Sequence, residues 1–307
     1  LFVPEQEISQ VKSVFIMTLE NKNLVTNFSS AKYSWLKSGG LISHLYKIYN
    51  QIDLITLFSK NDIKAKSLLV IGNLSNTLIK DEGFKGIGIK LLGDFTNIQI
   101  NSDHMLVGSA VLDNFLSKFC FQKGISGYEF LYTIPGSIGG NIFMNAGCYD
   151  QEIKDKLISV IYFDINDNKV YEKNIRELKF DYRKGFQKTH TIILYGKFKI
   201  SHGDQRNIKK LMQEYEVIRN YTQPQKVNCC GSIFKNPVNQ SAWKLIKSSI
   251  DESFYNGPIK LSKTHSNFFE NEPHISANSI DLFISKIQKR VKEKHKIMLE
   301  KELRIID

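Results

Sequence analysis

Residues 134–147 read IPGSIGGNIFMNAG, and residues 71–76 read IGNLSN. Gly136, Ser137, Gly139, Gly140, Asn145 and Gly147 dominate the first stretch, and Gly72, Asn73, Ser75 and Asn76 the second. Glycine lets a backbone approach a ligand closely, while Ser and Asn add donors, so both stretches can lay N–H groups against an anion. Neither carries the GxxxxGK[ST] of a P-loop, and neither is a GxGxxG that opens directly from a strand, which disfavours a Rossmann or kinase-type nucleotide site. Each stretch alone fits a tight turn equally well. Two in one chain point to a phosphate-bearing ligand.

Outward from these turns, residues 50–92 alternate short apolar runs with turn residues: DLITLF, SLLVIG and GFKGIGIKL. Their shortness and their branched residues predict strands broken by glycine turns. VLDNFLSKFCFQK, at 111–123, has helical spacing and stops against Gly124. LISVIYFDI, KVYEKNI and TIILYGKFKI predict further strands, with INDN as a hairpin turn. Helices are expected over 204–220 and 279–296, the latter amphipathic through Ile280, Phe283, Ile284, Ile287 and Val291, and a last strand at ELRII. The class is therefore α+β. Pro224, in YTQPQKVN, disfavours continuation of the preceding helix and suggests a boundary near Tyr221. The expected division is 1–95, 96–220 and 221–307.

A chain of 307 residues, 42% hydrophobic, can bury the cores of two or three lobes. No apolar run approaches the roughly 18 residues of a membrane span, and residues 1–10 lack the basic-then-apolar order of a signal peptide, so a cytoplasmic protein is expected. Cys120, Cys148, Cys229 and Cys230 show no CxxC spacing, which argues against a metal site or a disulfide framework. No histidine is placed to activate Cys229 or Cys230 as a nucleophile. The net charge of +11 comes from lysines scattered among acids and amides, as on a solvated surface, without a clustered stripe for nucleic acid. Neither nucleic acid, membrane nor an obligate protein partner is expected.

The segments IGNLSNTLIKDEGFKGIGIKL, GISGYEFLYTIPGSIGGNIFMNAGCYDQEI, FDYRKGF, NCCGSIFKNP, LSKTHSNFF and KELRIID, with YSWLKSGG before them, stand in the order found in the UDP-N-acetylenolpyruvoylglucosamine reductase family, which the chain resembles from Tyr33 onward. The resemblance implies an FAD-binding fold of the vanillyl-alcohol-oxidase (PCMH) type, two subdomains holding FAD, and a C-terminal α+β substrate-binding domain. It implies NADPH as hydride donor and UDP-N-acetylglucosamine enolpyruvate as substrate, reduced to UDP-N-acetylmuramate for peptidoglycan.

Residue by residue, the resemblance implicates Gly72, Asn73, Ser75, Asn76, Gly108, Ser109, Ala110, Pro135, Gly136, Ser137, Gly139, Gly140 and Asn145 in FAD binding. Arg183 stands at the arginine for the enolpyruvyl carboxylate, Ser232 at the proton-donating serine and Glu302 at the glutamate acting with arginine on the developing enolate. Tyr182, Lys235 and Asn236 flank these as substrate-binding candidates. Taken singly, each also fits an ordinary surface or turn position. His265 is expected to be structural, packing with Asn267 and Phe268. The chain departs from the family pattern at Leu74 and Asp150, where glycine is usual, at Asn141, where a small apolar residue is usual, and at Gly185, where serine stands. No tyrosine-bearing insertion is evident between Arg183 and Asn220, which matches the shorter family subtype. The rival readings are an oxidase on the same FAD scaffold and a basic nucleotide- or RNA-binding module without catalysis.

Overall fold

A computed structural model describes residues 23–59, 63 and 66–307, so the reading of residues 1–10 lies outside the described residues. The first region contains β1 (Leu24–Ser29), β2 (Leu41–Ile48), helix α1 (Gln51–Phe58), β3 (Leu68–Val70), β4 (Thr77–Ile79) and β5 (Phe84–Leu91). Its sheet runs β1-β2-β5-β3, with β5 parallel to both β2 and β3. Parallel neighbours need a crossover, and α1 lies on the path that leaves β2. DLITLF is therefore a helix and not the strand expected. Asn50 caps it by accepting the Asp53 N–H at 2.9 Å, and the Asp53 carboxylate accepts the Tyr49 N–H at 2.8 Å. Leu54 and Phe58, one turn apart, are buried.

The second region contains β6 (Ile98–Ile100), β7 (His104–Gly108), α2 (Asp113–Gln122), α3 (Ile138–Met144), β8 (Gly147–Cys148), β9 (Gln151–Glu152), β10 (Leu157–Asp164), β11 (Lys169–Asn174) and β12 (Thr191–Lys199). The antiparallel sheet β11-β10-β12-β7-β6 forms its frame. On β12 the period is two: Ile192, Leu194, Gly196 and Phe198 face inward, and Gly196 makes room for Ile142 of α3. The two sheets share a core in which Ile48, Leu54, Phe58 and Ile87 pack with Phe163, Ile192 and Leu194. The position 95/96 lies in a short 3-10 turn, Gly93–Thr96.

Then follow α4 (Gln205–Thr222), α5 (Ala242–Ser249), β13 (Ile259–Leu261), β14 (Phe269–Asn271), α6 (Ala277–His295) and β15 (Arg304–Ile306). α4 starts on an Asp204 cap and runs two residues beyond Asn220, which puts Tyr221 in its last turn. α6 buries Ile280, Ile284, Ile287 and Val291 completely, while Phe283 is half-buried beside Phe254. β15 returns to pair in parallel with β4, Arg304 opposite Thr77. That pairing carries the C-terminal residues back to the first glycine turn. The class is α+β, as expected.

Candidate active site

The first glycine turn joins β3 to β4. Leu74 takes the left-handed conformation at φ +49°, which explains why glycine is usual there, and it is held in place by burial. The Asn73 side chain donates to the Pro135 carbonyl at 2.7 Å, locking this turn to the second glycine stretch. A Cβ on Gly72 would stand 2.8 Å from Ser137 Oγ, so the two turns touch.

The second stretch is not a loop throughout, because Ile138–Met144 forms α3. Ser137 sits just ahead of it. Gly139 donates its N–H to the Ser109 carbonyl at 2.8 Å, and a Cβ there would lie 2.8 Å from Ser109 Cβ. Gly136 would likewise meet Asp113 Oδ2 at 2.5 Å. Asn141, the departure from the usual small residue, donates to Asp113 Oδ1 at 2.7 Å; both are buried. Burial raises the Asp113 carboxyl to about 8, so it holds a proton near neutrality.

Both stretches line a cavity of about 840 Å³. Gly72, Asn73, Ser75, Asn76, Ser109, Ala110, Pro135, Gly136, Ser137, Gly139 and Gly140 are all on its wall. Gly108 and Asn145 are not. Gly108 is pressed against the Phe95 backbone, and Asn145 closes α3 at φ +47°, its amide donating to Glu152 Oε2 and the Asp181 carbonyl. Both residues make contacts within the fold next to the wall.

Arg183, Ser232 and Glu302 line the same cavity. A two-way bond between Asp181 and Lys184 makes a tight turn that leaves Arg183 at φ +54°. From there its Nε donates to Glu302 Oε1 at 2.9 Å and its Nη2 to the Gly147 carbonyl at 2.9 Å. Both side chains are largely buried, 18% and 17% exposed. Burial raises the Glu302 carboxyl above the usual carboxylate range, and the Arg183 charge opposes that rise without cancelling it. Glu302 is fixed through its backbone, whose N–H donates to the Ile233 carbonyl at 2.8 Å. Among the described residues the Ser232 hydroxyl has no hydrogen-bond partner, which leaves it available to a ligand. Gly185 has no room for the family's serine: a Cβ would overlap the Ile142 carbonyl.

A smaller cavity of about 230 Å³ shares Arg183, Glu302 and Arg304 with the larger one and adds Lys235 and Lys301. Lys235 is paired with Glu300 at 2.5 Å. Tyr182 and Asn236 are on neither wall. The Tyr182 hydroxyl accepts the Asn236 N–H at 3.4 Å and its ring lies 4.9 Å from the Arg183 guanidinium carbon, while the Asn236 side chain caps α5 at Ala242. Both residues are exposed at the surface beside Arg183 and the 232–236 segment. His265 stacks edge-on against Phe268 at 4.8 Å, and the buried Asn267 bonds both the N–H and the carbonyl of Phe234.

Several wall residues escaped the sequence reading. Arg304, the first residue of β15, lies 4.4 Å over the Phe143 ring; its signal was its place two residues after Glu302 in KELRIID. Arg219 follows Tyr215 by one helical turn and reaches the wall beside Tyr149, which stacks on Tyr215 at 4.0 Å. Six cations, Lys66, Lys90, Arg183, Lys188, Arg219 and Arg304, face the larger cavity, against the single carboxylate of Glu302. Such a wall favours a multiply charged anion.

Residues 223–306 match the family model described as UDP-N-acetylenolpyruvoylglucosamine reductase, C-terminal domain. The chain is 37% identical over 284 residues to the UDP-N-acetylenolpyruvoylglucosamine reductase of Pelagibacter ubique, spanning 91% of this chain and 93% of that one. It is 34% identical over 278 residues to the enzyme of Rickettsia felis, spanning 91% and 94%. The crystal structure of UDP-N-acetylenolpyruvylglucosamine reductase from Thermus caldophilus shares the fold with a TM-score of 0.77 at 28% identity, covering 92% of this chain and 98% of that one.

Proposed function

The chain belongs to the UDP-N-acetylenolpyruvoylglucosamine reductase family, and from that premise we propose how the walls of its cavity divide the reduction of UDP-N-acetylglucosamine enolpyruvate to UDP-N-acetylmuramate. The enzyme is an FAD-dependent oxidoreductase of peptidoglycan precursor synthesis, with the vanillyl-alcohol-oxidase-type fold of its family. NADPH is the proposed hydride donor.

The residues present suit FAD. The two glycine turns leave backbone exposed where side chains would fill the space, Ser109 Oγ and Asn76 Oδ1 are buried without partners, and the wall is cationic. Gly72, Asn73, Ser75, Asn76, Ser109, Ala110, Pro135, Gly136, Ser137, Gly139 and Gly140 would hold the cofactor. When bound, FAD supplies the hydride chemistry. We assign residues 1–95 and 96–220 to that task and 221–307 to the substrate.

Saturating the enolpyruvyl double bond places negative charge beside the substrate carboxylate and requires a proton on the neighbouring carbon. Arg183 spends Nε on Glu302 and one Nη2 donor on Gly147, and the rest of its fork is free to bind the carboxylate in plane. Glu302, with its carboxyl raised by burial, donates a hydrogen bond to the developing enolate oxygen when protonated. The unpaired Ser232 hydroxyl, on the same wall, gives its proton to carbon. Lys235, which lines the smaller cavity, is assigned to the substrate's diphosphate. Tyr182 and Asn236, exposed beside Arg183, are assigned to the substrate with it.

The observation that carries this reading is the convergence of Arg183, Glu302 and Ser232 on the cavity that both glycine turns line. The test is the visible spectrum of the purified protein before and after anaerobic NADPH. Flavin bands that bleach, and return when the enolpyruvyl substrate is added, are expected. A protein that binds no flavin even when FAD is supplied would overturn the reading.

A further inference from the structure

On β5, Ile87, Ile89 and Leu91 point into the apolar core, while Gly86, Gly88 and Lys90 occupy the opposite face. The two glycines are packed tightly by their neighbours, Gly88 beneath Ile42 and Leu45. Phe84, at the start of the strand, packs against the same cluster, and Lys90 is the charged side chain on that face. It extends to the cavity wall, where its ammonium donates to the Gly72 carbonyl in the first glycine turn.

No carboxylate accompanies it. Among the described residues Lys90 makes no ion pair, and the single acid on the wall, Glu302, is engaged by Arg183. Lys188, on the same wall, shows the ordinary arrangement, paired with Asp164 at 2.6 Å. A half-buried ammonium with only a carbonyl acceptor is costly, and its partial desolvation depresses its basicity. Such a cation is stabilised when a ligand brings the missing negative charge. Its position also matters for the turn itself. In a trans peptide the C=O and the following N–H point in opposite directions, so fixing the Gly72 carbonyl on Lys90 directs the Asn73 N–H away from Lys90.

We propose that Lys90 is the cation that neutralises the diphosphate of the FAD held against the first glycine turn. This rests on the reading that the cavity takes FAD, and deepens it by separating the charge from the backbone cradle.

The test compares apoprotein binding of FAD and of riboflavin, which lacks phosphate, by quenching of flavin fluorescence. Lys90→Gln retains a donor for the Gly72 carbonyl but removes the charge; Lys90→Arg retains the charge. Lys90→Gln should weaken FAD binding about 10- to 100-fold, as expected for a lost charge-assisted bond, and leave riboflavin binding unchanged. Lys90→Arg should recover most of the FAD affinity. The apoprotein Tm of Lys90→Gln should equal or exceed that of the wild type, because a half-buried charge without a carboxylate partner has been removed. FAD binding equal to wild type in Lys90→Gln overturns the proposal, as does an equal loss for FAD and riboflavin with a lowered apoprotein Tm, which marks a structural lysine. Wild-type protein that takes up neither flavin gives a different result and overturns the cofactor reading beneath it.

Discussion

The two walls of the cavity are built on different principles. The glycine wall offers mostly backbone, and its geometry depends on conformations that side chains resist; the wall carrying Arg183, Ser232 and Glu302 offers functional groups on segments held by strand-like pairing and a tight turn. The first therefore tolerates changes of residue when the backbone can be kept. Leu74 and Asp150 both hold left-handed φ values, +49° and +58°, where the family usually has glycine. The second depends on chemical identity: at Gly185 the backbone of α3 excludes any side chain, yet the neighbouring Arg183 keeps its full set of contacts.

Substitutions should separate the walls most sharply at Ser232. Ser232→Ala should leave flavin reduction by NADPH nearly intact and slow reoxidation by the enolpyruvyl substrate about 10²–10⁴-fold, the range for a positioned general acid. Stopped-flow traces of bleaching and recovery measure both steps. Equal slowing of both would move Ser232 from the chemistry to the scaffold.

On the glycine wall the largest effect expected is on stability. Asp113, wholly buried behind Gly136, has its carboxyl raised from the ordinary value of 3.8 to about 8. The folded protein thus holds a proton that the unfolded chain releases. This contribution is fully present below about pH 4 and is lost as pH rises through about 8, on the order of a few kcal/mol in total. Asp113→Asn keeps an acceptor for Asn141 and cannot ionise, so its urea midpoint should not share that decline between pH 4 and 9. A variant that declines in parallel with the wild type would show that Asp113 is not the titrating group.

The same contrast explains what the sequence revealed. The long amphipathic pattern through Ile280, Ile284, Ile287 and Val291 and the alternation in TIILYGKFKI identified their elements because one buried face imposes one period. DLITLF was too short for periodicity to decide, and the informative signal lay at its start, where Asn50 accepts the Asp53 N–H and the Asp53 carboxylate accepts the Tyr49 N–H. In IPGSIGGNIFMNAG the glycines masked a short helix. Arg183, Ser232 and Glu302 were legible through motif resemblance, and the structure brings them to one cavity. Gly108 and Asn145 illustrate the limit: they belong to the same motifs as wall residues, but that the cavity wall excludes them, Gly108 against the Phe95 backbone and Asn145 bonded to the Asp181 carbonyl, follows from tertiary contacts that no motif shows.

A smaller effect is expected where the functional wall uses geometry as well as charge. Arg183→Lys preserves the cation but loses the planar fork that reaches Glu302 and Gly147 together. Turnover with the enolpyruvyl substrate should fall about 10- to 100-fold while FAD stays bound, the loss expected for charge-assisted bonds. Near-normal turnover would place Arg183 outside the reacting site.

The smallest effect should come from the turn that adjoins both walls. Cys148 pairs with Gln151 across β8 and β9, and the two residues between them, Tyr149 and Asp150, have φ of +54° and +58°. A two-residue hairpin with both φ positive is a type I′ turn, whose second position favours glycine. Asp150 is exposed. Asp150→Gly should therefore relieve left-handed strain, stabilise the fold by up to about 1 kcal/mol and raise Tm by about 2 °C. Tyr149 has the same backbone conformation but a different role, since its ring lies flat on Tyr215 at 4.0 Å and 2° and its hydroxyl donates to the Tyr215 carbonyl at 3.0 Å. Tyr149→Gly would gain the same conformational relief and lose a stacked pair worth about 0.5–1.5 kcal/mol together with its hydrogen bond. Its Tm should fall. Two adjacent substitutions to glycine with opposite signs would show that the turn is strained at both positions and held by a side chain at one. A rise in both would mean that the stack contributes less than the strain it holds.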